Sequence, residues 1–190
     1  KVIPIAGNHF TNDLAVGLGV PIHLAEDIKR RYGFVVEEKY LDYDTSEVKL
    51  YSEYDGINKK VDLYRIFEIL SPRAIEVYEF VTTDILQQRL RPMLQAGLVI
   101  TGGGALLSGM PELANQEMGT PTRVGTPHHF RDTELEGTVP DILKSPIYST
   151  AYGILVYAAR GGDNPLGIDD SSPLCSRVFK KMKSWLYDFL

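Results

Sequence analysis

The sequence is poor in the features that mark several large classes of protein. It contains a single cysteine, Cys175, which excludes an intrachain disulfide framework and fits a reducing compartment. No apolar run approaches the roughly 20 residues that a membrane-spanning helix needs. Basic residues are outnumbered, with 20 Lys and Arg against 25 Asp and Glu. An acidic body would repel the phosphate backbone, so a general nucleic-acid-binding function is not expected.

The spacings typical of metal and nucleophile sites are also missing. None of the four histidines has a metal-ligand spacing or a cysteine cluster nearby; they are His9, His23, His128 and His129. No Ser/His/Asp or Cys/His arrangement stands out, and the carboxylates are scattered. We therefore predict no catalytic residue and no metal site within this chain.

What is present is an ordinary globular mixture, 44% hydrophobic and 24% charged, in which strand-like and helix-like stretches alternate. The strand-like stretches are 2–6, 34–41, 47–54, 98–101 and 122–124. The helix-like stretches are 14–18, 25–32, 61–90, 111–118 and 148–159, and Ser71-Pro72 is expected to split or kink the third. The alternation predicts an α/β fold. The apolar strand-like run at the very start favours a fragment of a longer chain.

A glycine-rich loop follows one of the predicted strands, in LVITGGGALLSGM at 98–110. Three glycines, Gly102, Gly103 and Gly104, would let the backbone approach a ligand closely, and the helix beyond them would favour an anion such as phosphate. The stretch lacks both the Lys-Ser/Thr of a P-loop and the G-x-G-x-x-G spacing of dinucleotide folds. A plain turn is an equally good interpretation of the residues alone.

A short polar helix is predicted in AEDIKRRYG at 25–33. Glu26, Lys29 and Arg30 have the spacing of one helical face. A carboxylate beside two cations could bind a ribose and cover an adenine ring. From the residues alone, a solvated face with a surface ion pair is the more common case.

The chain ends in a basic amphipathic segment, SRVFKKMKSWLYDFL at 176–190, after a Gly-, Pro- and Asp-rich linker. An apolar, aromatic face and a lysine-rich face together suit the interface of an anionic membrane. The predicted membrane-binding residues are Val178, Phe179, Lys180, Lys181, Met182, Lys183, Trp185, Leu186 and Phe189. The alternative is that the apolar face docks on its own domain or on a partner helix.

Three motifs in a fixed order resemble the second half of the actin/Hsp70 superfamily of ATPases. They are the G-x-x-x-T-x-D turn at 7–13, the A-E-x-I-K-x-x-x-G helix at 25–33 and the L-V-I-T-G-G-G-A loop at 98–105. EILSPRAIEVYEF at 68–80, SPIYSTAYGILVYA at 145–158 and the basic amphipathic end are similar to the FtsA family of bacterial cell-division proteins. The MreB and PilM families share the superfamily motifs but lack this C-terminal helix.

The resemblance implies an α/β fold of the actin-like, or ribonuclease H-like, type. It places residues 1–18 in subdomain 2A, 19–92 in subdomain 2B and 93–160 in the remainder of 2A. Residues 161–176 would be a flexible linker, and 177–190 an amphipathic membrane-targeting helix.

The resemblance also implies a function for the motifs. Such proteins bind ATP with Mg²⁺ between two domains, and this half would contribute Glu26, Lys29 and Arg30 with Gly102, Gly103 and Gly104. The phosphate-binding hairpins would precede Lys1, so this fragment is expected to be inactive and empty of nucleotide. The intact protein is expected to be a weak ATPase at most.

The implied partners are the C-terminal peptide of FtsZ, further copies of the protein in filaments, other divisome proteins and anionic lipids. Arg65, Arg73 and Glu76 match the peptide-binding positions, although from the residues alone Arg73 is a charge in the first turn of a helix. The implied location is the cytoplasmic face of the bacterial inner membrane at the septum. The alternatives are a soluble ATPase of the same superfamily and a pilus-associated actin-like protein.

Overall fold

The structure is a computed structural model that describes residues 1–43, 46–52, 55–127 and 141–159. The described helices and strands are α1 (Gly7–Leu18), α2 (Ile22–Tyr32), β1 (Glu47–Ser52), β2 (Ile57–Asp62), α3 (Leu63–Gln87), β3 (Leu98–Ile100), α4 (Met110–Met118), β4 (Thr122–Val124) and α5 (Ser149–Ala159). Residues 150–159 of α5 belong to a second unit of the chain.

Two glycines shape the ends of α1 and α2 for different reasons. Gly19 ends α1 in the left-handed conformation, with φ of 62°, where a side chain would be strained. Gly33 follows α2 with an ordinary extended backbone, so glycine is needed there because a side chain would not fit. A Cβ there would lie 2.3 Å from the Lys29 carbonyl oxygen and 2.7 Å from Leu107 Cδ1. The end of α2 is therefore packed directly against the segment that follows the glycine-rich loop.

An antiparallel hairpin of β1 and β2 leads into the longest helix. Val48 pairs with Val61, and both side chains are buried, whereas Lys49 and Lys60 face each other on the exposed side. The Asp62 side chain then accepts the backbone N–H of Tyr64 at 2.8 Å and caps the start of α3. The sequence indicated β1, but β2 was missed, and its end at Val61 was assigned to the helical stretch.

α3 is one continuous helix of 25 residues with Pro72 inside it. Proline removes one helical N–H, and the helix nevertheless continues because its apolar face is deeply buried. Leu63, Ile66, Leu70 and Ala74 are each 0% exposed. Of the two outcomes predicted for Ser71-Pro72, a split into two helices or one kinked helix, the structure excludes the split.

The glycine-rich loop is carried by a small parallel pair of strands. β3 pairs with β4 in parallel, with Val99 opposite Arg123. The backbone N–H of Leu98 donates to Pro121 at 2.8 Å, and that of Gly125 donates to Ile100 at 2.8 Å. These bonds fix both ends of β3, so the position of the loop that follows is set by the strand pair.

The core lies where α1, α2, α3, α4 and the hairpin meet. Its largest fully buried side chains are Phe34, Leu14, Ile28, Leu63, Ile66, Leu70 and Val35. Phe34 stacks on Phe67 with ring centroids 5.6 Å apart and also contacts Tyr43 at 5.5 Å. Paired aromatic rings stabilise a fold by more free energy than their buried area alone would give. This cluster therefore holds the segment after α2 against α3.

Two predicted strands are absent from the described residues. Residues 2–6 are not a strand, and Val2 is 88% exposed, because no described strand pairs with this apolar run. In the stretch 34–41, Phe34 forms one isolated bridge to Ser108, and Glu37–Asp42 is a 3-10 turn. The α/β class is confirmed, while the subdomain boundaries stay a prediction.

Candidate functional site

α2 carries a lysine that is almost enclosed by acceptors of its own chain. Three oxygens surround the Nζ of Lys29: Glu26 Oε2 at 2.6 Å, Thr11 Oγ1 at 2.8 Å and the Gly7 carbonyl at 3.1 Å. An ammonium group has three N–H donors, so all of them are engaged. Only 14% of the side chain is exposed. The predicted pairing of Glu26 with Lys29 is formed, and it also ties α1 to α2.

Glu26 is held as a carboxylate by the same network. Thr11 donates its hydroxyl to Glu26 Oε2 at 2.5 Å, beside the bond from Lys29. Burial by itself would raise the pKa of Glu26, but the hydrogen bonds from Lys29 and Thr11 outweigh it and hold the pKa below its ordinary value of 4.5. Because 41% of the side chain is exposed, Glu26 belongs both to the buried network and to the surface.

An open recess of about 350 Å³ lies beside this network. Its lining residues come from α2 and β1 and are His23, Leu24, Glu26, Asp27, Arg30 and Tyr51. Tyr51 is 67% exposed and offers a ring face, Arg30 a cation and Glu26 an acceptor. Its volume is at the lower end of the range for small-molecule sites, and its lining combines one aromatic ring with several charged groups. The predicted residues Glu26 and Arg30 thus share one surface.

The glycine-rich loop leaves open space above its backbone. Gly102 has φ of 90°, a conformation that favours glycine. A Cβ at Gly102 or Gly104 would meet nothing within 4 Å, and one at Gly103 would only touch Ile147 at 3.9 Å. Just before the loop, Thr101 Oγ1 donates to the Gly125 carbonyl at 2.9 Å. The loop is therefore anchored at its start and accessible along its length.

The two predicted halves of the nucleotide site lie on neighbouring segments without touching. The backbone N–H of Val35, just after α2, donates to the Ser108 carbonyl, four residues after Gly104, at 3.0 Å. Within the described ranges, no hydrogen bond or ion pair joins the loop to Glu26, Lys29 or Arg30. A ligand that used both halves would have to bridge them.

A second charged network connects α1 to α3. The guanidinium of Arg73 donates from Nε to Asp13 Oδ2 at 2.6 Å and from Nη2 to Asp13 Oδ1 at 3.1 Å, a two-pronged pairing. Its Nη1 also donates to Glu76. The hydrogen bond with Asp13 is the main reason why the pKa of Arg73 lies above its ordinary value. One cation faces two carboxylates, so this network has a formal charge of −1.

The three predicted partner-binding residues share one face of α3. At about 100° per residue, Arg65, Arg73 and Glu76 fall within roughly 80° of one another. Arg65 forms an exposed pair with Glu68 at 3.0 Å. Phe80, one turn after Glu76 and 46% exposed, lies on the same face. The structure therefore places charges and one large apolar side chain together, whereas Phe80 was missed as a candidate.

The sequence also did not single out the α1 residues that hold both networks. Thr11 is 3% exposed and Asp13 is the partner of Arg73. The signal available was the G-x-x-x-T-x-D motif, whose threonine and aspartate are these two residues. Spacing along the chain could not show that they meet side chains on α2 and α3.

The predictions that remain concern membrane binding and metal binding. All of the predicted membrane-binding residues, 178–189, lie outside the described residues. In the part of the chain that the structure describes, no group of histidine, cysteine and acidic side chains could hold a metal ion. No described helix is both long enough and apolar enough to cross a membrane.

Comparison with known proteins decides the family. Residues 1–153 match the model of a family described as "Cell division protein FtsA". The chain belongs to the FtsA family. It is 29% identical over 191 aligned residues to the FtsA of Pseudomonas aeruginosa, covering 97% of this chain and 44% of that protein. It is 30% identical to the FtsA of Escherichia coli K12, covering 98% of this chain and 43% of that protein.

The fold comparison agrees with the actin-like prediction. Solved structures of MreB5 of Spiroplasma citri, one bound to ADP and one to AMPPNP, superpose with TM-scores of 0.58 and 0.61. Each is 18% identical and covers 85% of this chain and 46% of that chain. At this identity the likeness shows the fold alone. The chain spans less than half the length of the FtsA relatives given above, so the activities of an intact FtsA are not established for it.

Proposed function

We propose that this chain is the second-domain half of an adaptor that tethers FtsZ filaments to the cytoplasmic membrane during cell division. The observation that carries the proposal is the match of residues 1–153 to the FtsA family. In this proposal one face of the domain binds the C-terminal peptide of FtsZ, the chain end binds lipid, and ATP bound between two domains controls self-association and contact with other divisome proteins. The protein would act at the inner face of the membrane at the septum.

The nucleotide part of the proposal rests on the recess beside α2 and on the open loop. Glu26 would accept from ribose hydroxyls, Arg30 and Tyr51 would flank the adenine, and the free space above Gly102 and Gly104 would admit phosphates. The MreB5 structures with the same fold contain ADP and AMPPNP. ATP with Mg²⁺ would be held fully only by the two-domain protein, with weak hydrolysis at most.

The partner part of the proposal rests on the exposed face of α3. Arg65, Arg73 and Glu76 would pair with charges of a short FtsZ peptide, and the half-exposed Phe80 would contact one of its apolar side chains. Both signs of charge are present on this face, which suits a peptide that itself carries both. The apolar contact would supply affinity, and the charges would select the register.

The membrane part of the proposal rests on the sequence of residues 177–190. Each of Lys180, Lys181 and Lys183 would contribute about 1 kcal/mol near an anionic surface, and Trp185 would insert at the headgroup level. A single helix of this kind binds reversibly. Polymerisation would raise the effective concentration of anchors, so a filament would stay bound where a monomer dissociates.

Co-sedimentation with vesicles containing anionic phospholipid tests the proposal. Trp185→Glu places a charge on the apolar face, and Ser184→Glu, its matched control, places the same charge on the polar face. We expect the unchanged protein and Ser184→Glu to sediment with the vesicles and Trp185→Glu to stay in the supernatant.

The other outcomes point to the alternatives. If no form sediments, the end of the chain is better explained as a protein-binding helix, and a soluble ATPase of the superfamily becomes the leading interpretation. If the tail can be removed without loss of function in cells, the pilus-associated alternative gains support instead.

A further inference from the structure

α1 is held by two charged networks on different sides. Thr11 bonds to Glu26 and Lys29 of α2, and two residues later Asp13 bonds to Arg73 of α3. Residues two apart on a helix point about 200° apart. The helix therefore lies between the candidate nucleotide-binding side chains and the candidate partner-binding side chains, and it contributes a bonding partner to each.

Lys29 cannot bond to a ligand without releasing something else. Its three N–H donors are already directed at Glu26, Thr11 and the Gly7 carbonyl. Two of these acceptors belong to α1, so a ligand oxygen that accepts from Lys29 replaces either a bond to α1 or the bond to Glu26. Exchange of the bond to Thr11 or to the Gly7 carbonyl weakens the connection to α1, whereas exchange of the bond to Glu26 leaves the bond between Thr11 and Glu26 in place.

The loss of a bond from Lys29 would loosen the attachment of the start of α1 to α2, while Phe10 and Leu14 keep the helix in the core. A Cβ at Gly17 would lie 2.7 Å from Ile69 Cδ1, so α1 and α3 are in close contact there. The expected movement is a small pivot about this contact. Asp13 lies in the middle of α1, two residues after Thr11 and one turn before the Gly17 contact, so a pivot about that contact displaces it.

Asp13 occupies the part of Arg73 that an acidic partner would use. The Nε and Nη2 edge of a guanidinium is the geometry that binds a carboxylate through two parallel bonds, and both atoms are bonded to Asp13. With Glu76 on Nη1, each guanidinium nitrogen already has a carboxylate. A carboxylate of a partner peptide that binds this edge through two bonds must therefore displace Asp13.

We propose that Asp13 is an autoinhibitory competitor at Arg73, and that a ligand which takes the place of Thr11 or the Gly7 carbonyl at Lys29 relieves this inhibition through α1. The inference rests on the proposed function, because it uses the nucleotide and the acidic peptide assigned there. It adds that the two sites are coupled positively: each ligand raises the affinity for the other by the same factor.

The test is the affinity of the full-length protein for a fluorescent peptide with the C-terminal sequence of FtsZ from the same organism. The dissociation constant is measured by anisotropy without nucleotide and with saturating Mg²⁺–AMPPNP. We expect AMPPNP to tighten peptide binding about fivefold, the lower end of ordinary coupling. We expect Asp13→Asn to bind the peptide about as tightly without nucleotide as the unchanged protein does with it.

Two further variants separate the steps. Thr11→Val keeps the shape of the side chain but removes its bonds to Glu26 and Lys29, and it should reduce the AMPPNP effect to less than about twofold. Glu112 pairs with Lys39 at 3.1 Å, away from both networks. Glu112→Gln removes one negative charge, as Asp13→Asn does, and it should keep the full effect of AMPPNP on peptide affinity.

The outcomes distinguish this inference from the function on which it rests. If the unchanged protein binds both peptide and AMPPNP but the nucleotide leaves the peptide affinity unaltered, the coupling is wrong and the proposed function stands. Weaker peptide binding by a folded Asp13→Asn would overturn the autoinhibition, because it would make Asp13 a support for Arg73. Failure of the unchanged protein to bind the peptide would overturn the partner site and the coupling together.

Discussion

Lys29 and Arg73 are both cations on a helix that bond to α1, yet their surroundings differ. Lys29 is 14% exposed and has one carboxylate and two neutral oxygens around its three donors. Arg73 is 27% exposed and has two carboxylates, Asp13 and Glu76. A guanidinium has five N–H donors, and the bonds to these carboxylates use three of them. All three donors of Lys29 are therefore engaged, whereas two of the five donors of Arg73 are not used by these bonds.

The difference teaches how each cation is used. A buried ammonium with no free donor stabilises the fold first, and a ligand reaches it only by exchange. A partly exposed guanidinium with two free donors is open to a partner, but a carboxylate that needs the Nε and Nη2 edge meets competition from Asp13. The two predicted sites are therefore not equivalent, and replacing the two cations should have different consequences.

The largest expected effect is on stability at Lys29. Lys29→Met keeps the length of the side chain but leaves Glu26, Thr11 and the Gly7 carbonyl without their shared donor, and we expect a loss of about 2 kcal/mol in the free energy of unfolding. Arg31→Met is the matched control, since Arg31 pairs with Asp27 on the surface of the same helix at 3.0 Å. It should lose less than about 0.5 kcal/mol. Urea unfolding of the full-length proteins measures both, and equal losses would show that the network around Lys29 is no stronger than a surface pair.

A smaller effect on stability and a specific one on binding are expected at Arg73. Arg73→Glu places three carboxylates together, and it should weaken the binding of the FtsZ peptide by more than about tenfold, or 1.4 kcal/mol. Arg65→Glu disturbs only an exposed pair and should weaken peptide binding less, with no measurable loss of stability.

The comparison of the two arginine variants locates the partner site along α3. Peptide titrations of both variants, made after their thermal unfolding has been compared, measure the two effects. Unaltered affinity in a folded Arg73→Glu would place the partner site elsewhere on the molecule. A larger effect at Arg65 than at Arg73 would move its centre about two turns towards the start of the helix.

The sequence predicted the parts of this fold that depend on local pattern. The periodic apolar face of α3, the strand before the glycines and the Glu26–Lys29 spacing were all read correctly, because each depends on residues close together in the chain. The strand expected at 2–6 was wrong, since a strand needs a partner that no local pattern reveals. The 3-10 turn Glu37–Asp42 was missed for the same reason: Phe34 and its aromatic neighbours pack against α3 rather than in a sheet.

The candidate sites were predictable only in part. Motif spacing selected Glu26 and Lys29, and the family resemblance selected Arg73. Neither indicated that all donors of Lys29 would be engaged or that Asp13, 60 positions before Arg73, would be the partner of Arg73. Side chains that compete for the same donor are brought together by tertiary packing. Their competition is what decides whether a charged residue in a motif is available to a ligand.

The smallest expected effect is a change in the pH dependence of stability through Glu26. Its pKa is lowered in the folded state, below the ordinary 4.5, by hydrogen bonds from Lys29 and Thr11 that outweigh burial. A carboxyl whose folded pKa is depressed stabilises the protein fully above its unfolded pKa and loses that contribution as the pH falls through the folded value. At pH 7, Glu26→Gln should therefore lose less than about 1 kcal/mol of unfolding free energy relative to the unchanged protein. The difference between the two proteins should disappear as the pH falls below 4.5. Urea unfolding across this range measures the convergence. If the unfolding free energies of the two proteins instead change in parallel with pH, Glu26 has the same pKa in the folded and unfolded states. The network around Lys29 would then hold α1 in place without stabilising the charge of Glu26 in the recess.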